Sequence, residues 1–148
     1  MYHEYRRDNF IISNDPARLD LDAIHAYLSQ ESYWAAGIPK EVVARSIKNS
    51  LCFGVYEGNQ QIGFARLVTD SATFAYLADV YILAPYRGQG LAKWRMQCIL
   101  AHPDLQGLRR INLVTLDAHG LYRQFGFTAP HQPETYMELR RPNIYKKS

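Results

Sequence analysis

A short stretch with two glycines, residues 87–92, has the composition of an anion-binding turn. It reads Arg-Gly-Gln-Gly-Leu-Ala and stands between an apolar, strand-like run at 74–83 and a helical pattern at 91–101. The first N–H groups of a helix have no partner within the helix, and the helix dipole adds partial positive charge there. Gly88 and Gly90 carry no side chain, so an anion can approach the backbone closely. The stretch therefore predicts a phosphate site.

The residues of this turn leave several interpretations open. The simplest is an ordinary strand-to-helix turn whose dihedral angles require glycine, because short Gly-x-Gly patterns recur by chance. A dinucleotide fingerprint, G-x-G-x-x-G, fails because Lys93 stands at its third glycine. No acidic residue ends a following strand at the expected distance of about 20 residues either. A nucleoside-triphosphate loop is excluded because no Gly-Lys-Ser/Thr follows the turn.

A further interpretation comes from a resemblance to the GNAT N-acetyltransferase superfamily, whose signature is Gln/Arg-x-x-Gly-x-Gly/Ala. Arg87, Gly90 and Ala92 fill its three specified positions. Residues 80–87, Val-Tyr-Ile-Leu-Ala-Pro-Tyr-Arg, stand where the family carries V-x-V-x-P-x-Y/F-R/Q. Residues 118–127 match its downstream motif, A-x-x-L-Y-x-x-x-G-F. The chain therefore resembles a small single-domain member of bacterial type, over about residues 10–140.

The resemblance implies acetyl-coenzyme A (acetyl-CoA) as co-substrate. In the family, the strand before the turn splays from the strand after the helix, and the pantetheine arm lies in that cleft like an added strand. One backbone N–H of residues 80–82 would polarise the thioester carbonyl, and stabilising the developing oxyanion is usually the largest catalytic term. The phosphates would lie on N–H groups of residues 88–93. The implied cofactor-binding residues are Val80, Tyr81, Ile82, Arg87, Gly88, Gln89, Gly90, Leu91, Ala92 and Lys93.

The same resemblance implies direct attack of a primary amine on the thioester, with one acid and one base. Tyr122 occupies the family position of the acid that protonates the departing thiolate, and its alternative is a core tyrosine that packs a short helix. Arg110 stands where some relatives carry a glutamate base, so Asp79 is the best remaining base candidate. Burial beside the cleft raises the pKa of a carboxyl group. The alternative for Asp79 is an ordinary hydrogen-bonded acid at a strand end.

Two positions depart from the family pattern. Arg95 occupies a helix position that is usually apolar in the family, so we expect this helix to lean or pair unusually there. Thr115 replaces an asparagine that is frequent seven residues before the tyrosine. Its hydroxyl can still form a hydrogen bond, but it lacks the side-chain amide that asparagine has at that point.

The acceptor is predicted only in outline. In this fold the acceptor pocket is built by the first two helices, their loop and the last strands. That loop, residues 31–37, carries Tyr33 and Trp34, which are able to stack on a flat or cationic acceptor. They suit equally well a cover over the core at a helix junction. A small-molecule amine and a protein or peptide amine both remain open, and the alternative function is a catalytically silent acyl-CoA-binding or sensor module.

The elements that must position these residues follow from hydrophobic periodicity. Helices are expected around residues 21–28, 39–47, 91–101 and 118–125. Strands are expected at residues 10–13, 51–56, 61–68, 74–83 and 110–116, with final strands at Phe127 and 135–139. The order predicts an α/β fold with a central mixed, mostly antiparallel sheet flanked by helices, in one domain over residues 1–148.

Composition and charge limit the remaining classes of protein. The 148 residues are 47% hydrophobic, which suits a domain with its own core. The net charge of +3 is mild and the basic pairs, Lys146–Lys147 among them, are scattered, so no nucleic-acid partner is expected. No apolar run suits a membrane span or a signal peptide, so we expect a cytoplasmic protein without a membrane partner, and a homodimer stays open. Cys52 and Cys98 lack metal-ligand spacing and are predicted to be buried free thiols, with no metal site.

Overall fold

The computed structural model describes residues 1–146, and Lys147 of the predicted basic pair lies outside the described residues. The chain divides into two compact units, one over Met1–Val114 and one from Thr115 onward. The extent of a single domain over residues 1–148 stays a prediction.

The first unit contains a six-stranded sheet whose strands lie in chain order across it. The strands are β1 (Glu4–Arg7), β2 (Phe10–Ser13), β3 (Leu51–Glu57), β4 (Gln60–Thr69), β5 (Phe74–Ile82) and β6 (Arg110–Leu113). All neighbours pair antiparallel except β5 and β6, which are parallel. The helices of this unit are α1 (Leu21–Gln30), α2 (Lys40–Lys48) and α3 (Leu91–Leu100). The predicted α/β class and the mixed, mostly antiparallel sheet flanked by helices are confirmed.

Local sequence explains why these elements begin and pack as they do. Asp20 caps α1, because its carboxylate accepts a hydrogen bond from the N–H of Ala23 at 3.0 Å. The central strands β3 and β4 alternate little and are buried along most of their length, as expected of strands that are covered on both faces. Large apolar side chains fill the core of the unit, among them Ile12, Ile24, Val43, Phe53, Phe64 and Leu67.

The edges of the prediction were wrong in three places. Strand β1 was not predicted, because its charged sequence carries no apolar face and only pairing with β2 reveals it. Strand β6 ends at Leu113 instead of residue 116, where its parallel pairing with Leu77 ends. The final strands expected at Phe127 and 135–139 do not form within the described residues. The apolar residues of 135–139 favour an extended backbone, but a strand also needs a neighbouring strand to pair with.

The second unit contains one α-helix, α4 (His119–Arg123), among its described residues. Irregular segments follow the helix, and the side chain of Met137 is fully exposed.

Both cysteines are free and buried, which confirms the predicted thiols. Burial raises the pKa of Cys52 to about 12 and that of Cys98 to about 11, so neither provides a thiolate nucleophile near neutral pH. Across residues 1–146, no three His, Cys, Asp or Glu side chains gather closely enough to hold a metal ion. No helix in that range has the length and apolar character needed to cross a membrane.

Candidate functional site

The glycine turn joins the end of β5 to the start of α3. Gly88 and Gly90 have φ values of 82° and 79°, in the left-handed region that glycine enters without steric cost. Gly90 is the residue that precedes α3, and it has no side chain with which to cap the helix. A Cβ atom added at Gly88 would meet nothing within 4 Å, so the space above the turn is open. The turn therefore combines an uncapped helix start with room for a bulky anion.

Arg87, the first residue of the motif, stabilises the turn through hydrogen bonds of its guanidinium. Its Nε donates a hydrogen bond to the carbonyl of Ile82 at 2.8 Å, and its Nη2 donates to the hydroxyl of Tyr27 at 3.1 Å. The ring of Tyr27 in turn stacks on Tyr81, with the ring centroids 3.8 Å apart. The guanidinium thus ties the turn to the end of β5 and to α1.

A second arginine reaches the turn from a distant part of the chain. Arg7, in β1, donates through Nη2 to the carbonyl of Gly90 at 3.3 Å, and its guanidinium lies 4.8 Å from the centre of the Trp94 ring. It adds positive charge to a helix start that already has Lys93 exposed beside it. In the sequence Arg7 is one of several scattered basic residues, and nothing assigns it to the turn, because it lies 83 positions from Gly90 and no local motif includes it.

Beyond the end of β6, one edge of β5 is open in the described part of the sheet. Strand β6 pairs only with residues Phe74 to Leu77. On the other side of β5, the N–H of Leu83 donates to the carbonyl of Ile62 at 2.8 Å. Successive residues of a strand point their N–H groups to opposite sides, so the N–H of Ile82 faces away from β4. The last residues of β5 therefore present the N–H of Ile82 at a free edge, where the Ile82 carbonyl already accepts from Arg87.

Asp79 lies at a β-bulge just before these residues. Phe64 pairs with Tyr81 and Arg66 with Ala78, so two residues of β5 oppose the single residue between them on β4. The extra residue adopts a φ of 55°, and aspartate is one of the few residue types that tolerate this region. Bulges of this kind increase the local twist of a strand, and this one leaves Asp79 outside the regular pairing of β4 and β5.

Both oxygens of the Asp79 carboxylate are hydrogen-bonded. Arg66 donates through Nε to Oδ2 at 2.8 Å, and Trp34 donates through its indole Nε1 to Oδ1 at 2.9 Å. Nη1 of Arg66 also donates to the hydroxyl of Ser50 at 3.1 Å. The carboxylate therefore joins β4, β5 and the loop between α1 and α2.

The two aromatic residues of the α1–α2 loop have different surroundings. Trp34 is 41% exposed and holds Asp79, whereas Tyr33 is 62% exposed and contacts the Trp34 ring edge-on at 5.1 Å. Neither ring is buried in the core. The structure thus brings Trp34 next to Asp79, a proximity that neither residue's sequence position indicates.

Tyr122 belongs to the second unit. It lies in α4, is buried, and contacts Phe127 with the two rings edge-on at 5.7 Å. At the start of this helix the hydroxyl of Thr115 accepts a hydrogen bond from the N–H of Ala118 at 3.1 Å. Thr115 thus fixes the chain that leads into α4.

Comparisons with known proteins agree with one another. The sequence model of the Acetyltransferase (GNAT) family matches residues 4–127. A "putative acetyltransferase" of Gibberella zeae is 36% identical, over 80% of this chain and 78% of that protein. A "putative acetyltransferase belonging to the GNAT family" from Xanthomonas campestris pv. campestris has a crystal structure that is similar at a TM-score of 0.92 and 47% identity, covering 96% of this chain and 100% of that chain. A "predicted acetyltransferase with acetyl-CoA" from Clostridium acetobutylicum shares the fold at a TM-score of 0.62 and 18% identity, covering 95% of this chain and 96% of that chain.

Proposed function

This chain belongs to the GNAT acetyltransferase family, and on that basis we propose that it transfers the acetyl group of acetyl-CoA to a primary amine. One observation carries the proposal beyond membership of the family. In the chain, the open glycine turn at the start of α3 comes shortly after the free edge of β5. One continuous run of backbone therefore offers a phosphate site and a site for an extended arm. The acetyl-CoA named for the Clostridium acetobutylicum relative supports the same co-substrate.

The phosphates of the co-substrate would accept hydrogen bonds from the N–H groups of residues 88–93. Gly88 and Gly90 let the pyrophosphate approach the backbone, while the charges of Lys93 and Arg7 favour an anion there. Arg87 would act indirectly, because its guanidinium is engaged with Ile82 and holds the turn in shape.

The pantetheine arm would extend along the free edge of β5. Its amide groups would pair with the backbone of residues 80–82, as an added strand pairs with a sheet edge. One N–H of this edge would donate to the thioester oxygen, where negative charge develops when the amine attacks. Donors fixed in a strand need no reorganisation during that step.

Asp79 would act as the base, through a water molecule. An ionised carboxylate has about four lone-pair positions, and Arg66 and Trp34 occupy two of them, so a water can still donate to it. The ammonium of the acceptor would pass one proton through this water to the carboxylate. The neutral amine would then attack the thioester carbon and form the new C–N bond.

Tyr122 would act as the acid in the second half of the reaction. Collapse of the tetrahedral intermediate breaks the C–S bond, and the hydroxyl of Tyr122 would give its proton to the departing thiolate of coenzyme A. The acetylated amine loses its remaining extra proton to solvent. Tyr33 and Trp34 would contact the acceptor, which is a small-molecule amine or the amine of a protein or peptide. A cytoplasmic location, the absence of nucleic-acid and membrane partners, and the oligomeric state stay predictions.

The test is an acceptor screen with the purified protein. Acetyl-CoA is mixed with pooled small amines and peptides, thiol release is followed, and calorimetry measures the binding of acetyl-CoA in parallel. Release of free thiol that depends on one pool supports the transferase. Tight binding without turnover across broad pools favours the alternative, a catalytically silent acyl-CoA-binding or sensor module. A folded protein that binds no acetyl-CoA contradicts both.

A further inference from the structure

We propose that Arg95 is a positioning residue of the acyl transfer, which polarises the peptide group between Tyr81 and Ile82 and so strengthens the Ile82 N–H as a hydrogen-bond donor to the co-substrate. The inference rests on the proposed function, because it assigns a role to the free edge of β5. Arg95 would act through this peptide group and would not itself contact the substrates.

The guanidinium of Arg95 is directed at the backbone of the sheet. Arg95 lies in the middle of α3 and is 2% exposed. Its Nη1 donates to the carbonyl of Tyr81 at 2.8 Å and to the carbonyl of Phe64 at 3.2 Å. Phe64 and Tyr81 are the first pair of β4 and β5 after the bulge at Asp79. Arg95 therefore holds the strand pair at the point where the regular ladder resumes.

The carbonyl of Tyr81 and the N–H of Ile82 belong to one planar peptide group. A donor on the carbonyl oxygen draws electron density from the nitrogen through the amide resonance, which makes the N–H a better donor. A charged donor such as guanidinium forms a shorter and stronger hydrogen bond than a neutral one. In a trans peptide the two bonds point to opposite sides, and none of the described peptide bonds is cis. The polarised N–H therefore points away from the carbonyl that Arg95 holds.

That N–H faces the free edge of β5. The neighbouring N–H of Leu83 is bonded to Ile62 of β4, so the N–H of Ile82 must point to the other side of the strand. Strand β6 pairs with β5 only as far as Leu77. The acceptor that this N–H would meet there is a carbonyl of the bound co-substrate, in its pantetheine arm or in its thioester.

Packing alone does not explain a buried guanidinium in α3. Taking a cation out of water costs several kcal/mol, and apolar residues of similar volume often replace buried charges without loss of stability. Apolar side chains already surround this position in α3, where Leu91, Trp94, Met96, Cys98 and Ile99 are all buried. The charge of Arg95 meets two backbone carbonyls, and we attribute its presence at this position to its effect on them.

The experiment compares Arg95→Met, which removes the donor, with Arg95→Lys, which keeps a charged donor. Met96→Leu, a change at a buried neighbour in α3, is the packing control. The amide proton of Ile82 should move upfield in Arg95→Met and return toward the parental position in Arg95→Lys, and it should stay in place in Met96→Leu. If the co-substrate partner is the thioester, kcat should fall about two- to threefold with unchanged acetyl-CoA affinity, less than the loss of a whole hydrogen bond would cost, because the N–H is weakened and not removed. If the partner is an arm amide, the Kd of acetyl-CoA should rise by that factor and kcat should stay.

Three results would overturn the proposal. One is a folded Arg95→Met protein with the parental Ile82 amide shift, kcat and Kd. Another is an equal loss of activity in Met96→Leu, which would mean that packing is responsible. If Arg95→Met fails to fold, the test uses the parent protein. NMR then measures the coupling across the hydrogen bond between the Arg95 side-chain nitrogen and the Tyr81 carbonyl carbon, and absence of that coupling refutes the proposal. A parent protein that binds no acetyl-CoA contradicts the proposed function. The Ile82 amide shift would then test only whether Arg95 polarises the peptide group.

Discussion

The Asp79 bulge lies within β5 and the glycine turn follows the end of that strand, yet the two are built in different ways. The turn consists of consecutive residues, 87–91, and acts through backbone groups and open space. The bulge depends on side chains from three separate places, since Asp79 is held by Arg66 of β4 and by Trp34 of the α1–α2 loop. A site made of adjacent backbone is specified locally, whereas a site made of converging side chains exists only when the sheet and the loop are in place.

This contrast predicts different responses to substitution. Changes in the glycine turn should alter ligand binding more than the fold, because the turn is exposed, although a side chain at Gly88 or Gly90 is strained at its positive φ. Changes at the bulge should alter catalysis and stability together, because the same carboxylate links three parts of the first unit.

The largest effect is expected for Gly90→Val. A side chain at this position blocks the approach of the pyrophosphate, and losing two charge-assisted hydrogen bonds of about 2 kcal/mol each weakens acetyl-CoA binding on the order of 10³-fold. Calorimetry measures the loss. Gly107→Val is the matched control, since Gly107 has a similar φ of 76° and open space around its Cβ position. Equal affinity in folded Gly90→Val and in the control would remove the turn from the binding site.

Tyr122→Phe extends the comparison to the second unit, where a local motif predicts a side-chain role. Losing the acid should lower kcat by about 10²-fold, while the acetyl-CoA affinity stays at the parental value. Only a hydroxyl is removed, so the edge contact with Phe127 should survive. Tyr145→Phe, in the same unit, is the control. Parental turnover of Tyr122→Phe on a good substrate would leave Tyr122 as a packing residue.

Asp79→Asn separates the chemistry of the bulge from its shape. Asparagine also tolerates a positive φ, so the backbone at 55° can persist while the base is lost. The value of kcat/KM should fall by about tenfold or more at low pH and recover partly as the pH rises, because more of the amine is then already neutral. Asp22→Asn, which removes a carboxylate paired with Lys40 in the same unit, is the control. If parent and Asp79→Asn gave pH–rate profiles of the same shape, the amine would lose its proton to solvent and Asp79 would be structural.

The smallest effect is expected for Trp34→Phe, which keeps a ring but removes the N–H that donates to Asp79. The free energy of unfolding should drop by about 1 kcal/mol, the usual net value of one hydrogen bond. Urea denaturation measures it, with Tyr33→Phe as the neighbouring control. Acetyl-CoA affinity should not change in either variant. Equal stability of the two variants would show that the indole bond to Asp79 does not persist in solution.

Much of the fold could be predicted because its signals are local. Strand β2 was predicted with its observed bounds, and β3, β4 and β5 to within one residue at each end. The charged strand β1 and the absence of strands at 135–139 could not be predicted in the same way, because pairing with a neighbour decides whether an extended segment joins a sheet.

The residues of the candidate site also fall into those that local sequence specifies and those that only tertiary contacts bring together. The sequence alone determined the family, the fold class and the position of the glycine turn, since these depend on motifs of neighbouring residues and on hydrophobic periodicity. Only the tertiary structure decided that Arg7 reaches Gly90, that Trp34 and Arg66 hold Asp79, and that Arg95 donates to Tyr81. These contacts join residues far apart in the chain, and their geometry depends on the twist and register of the sheet between them. A bulge of one residue sets that register for Asp79, and no local pattern in the sequence encodes it.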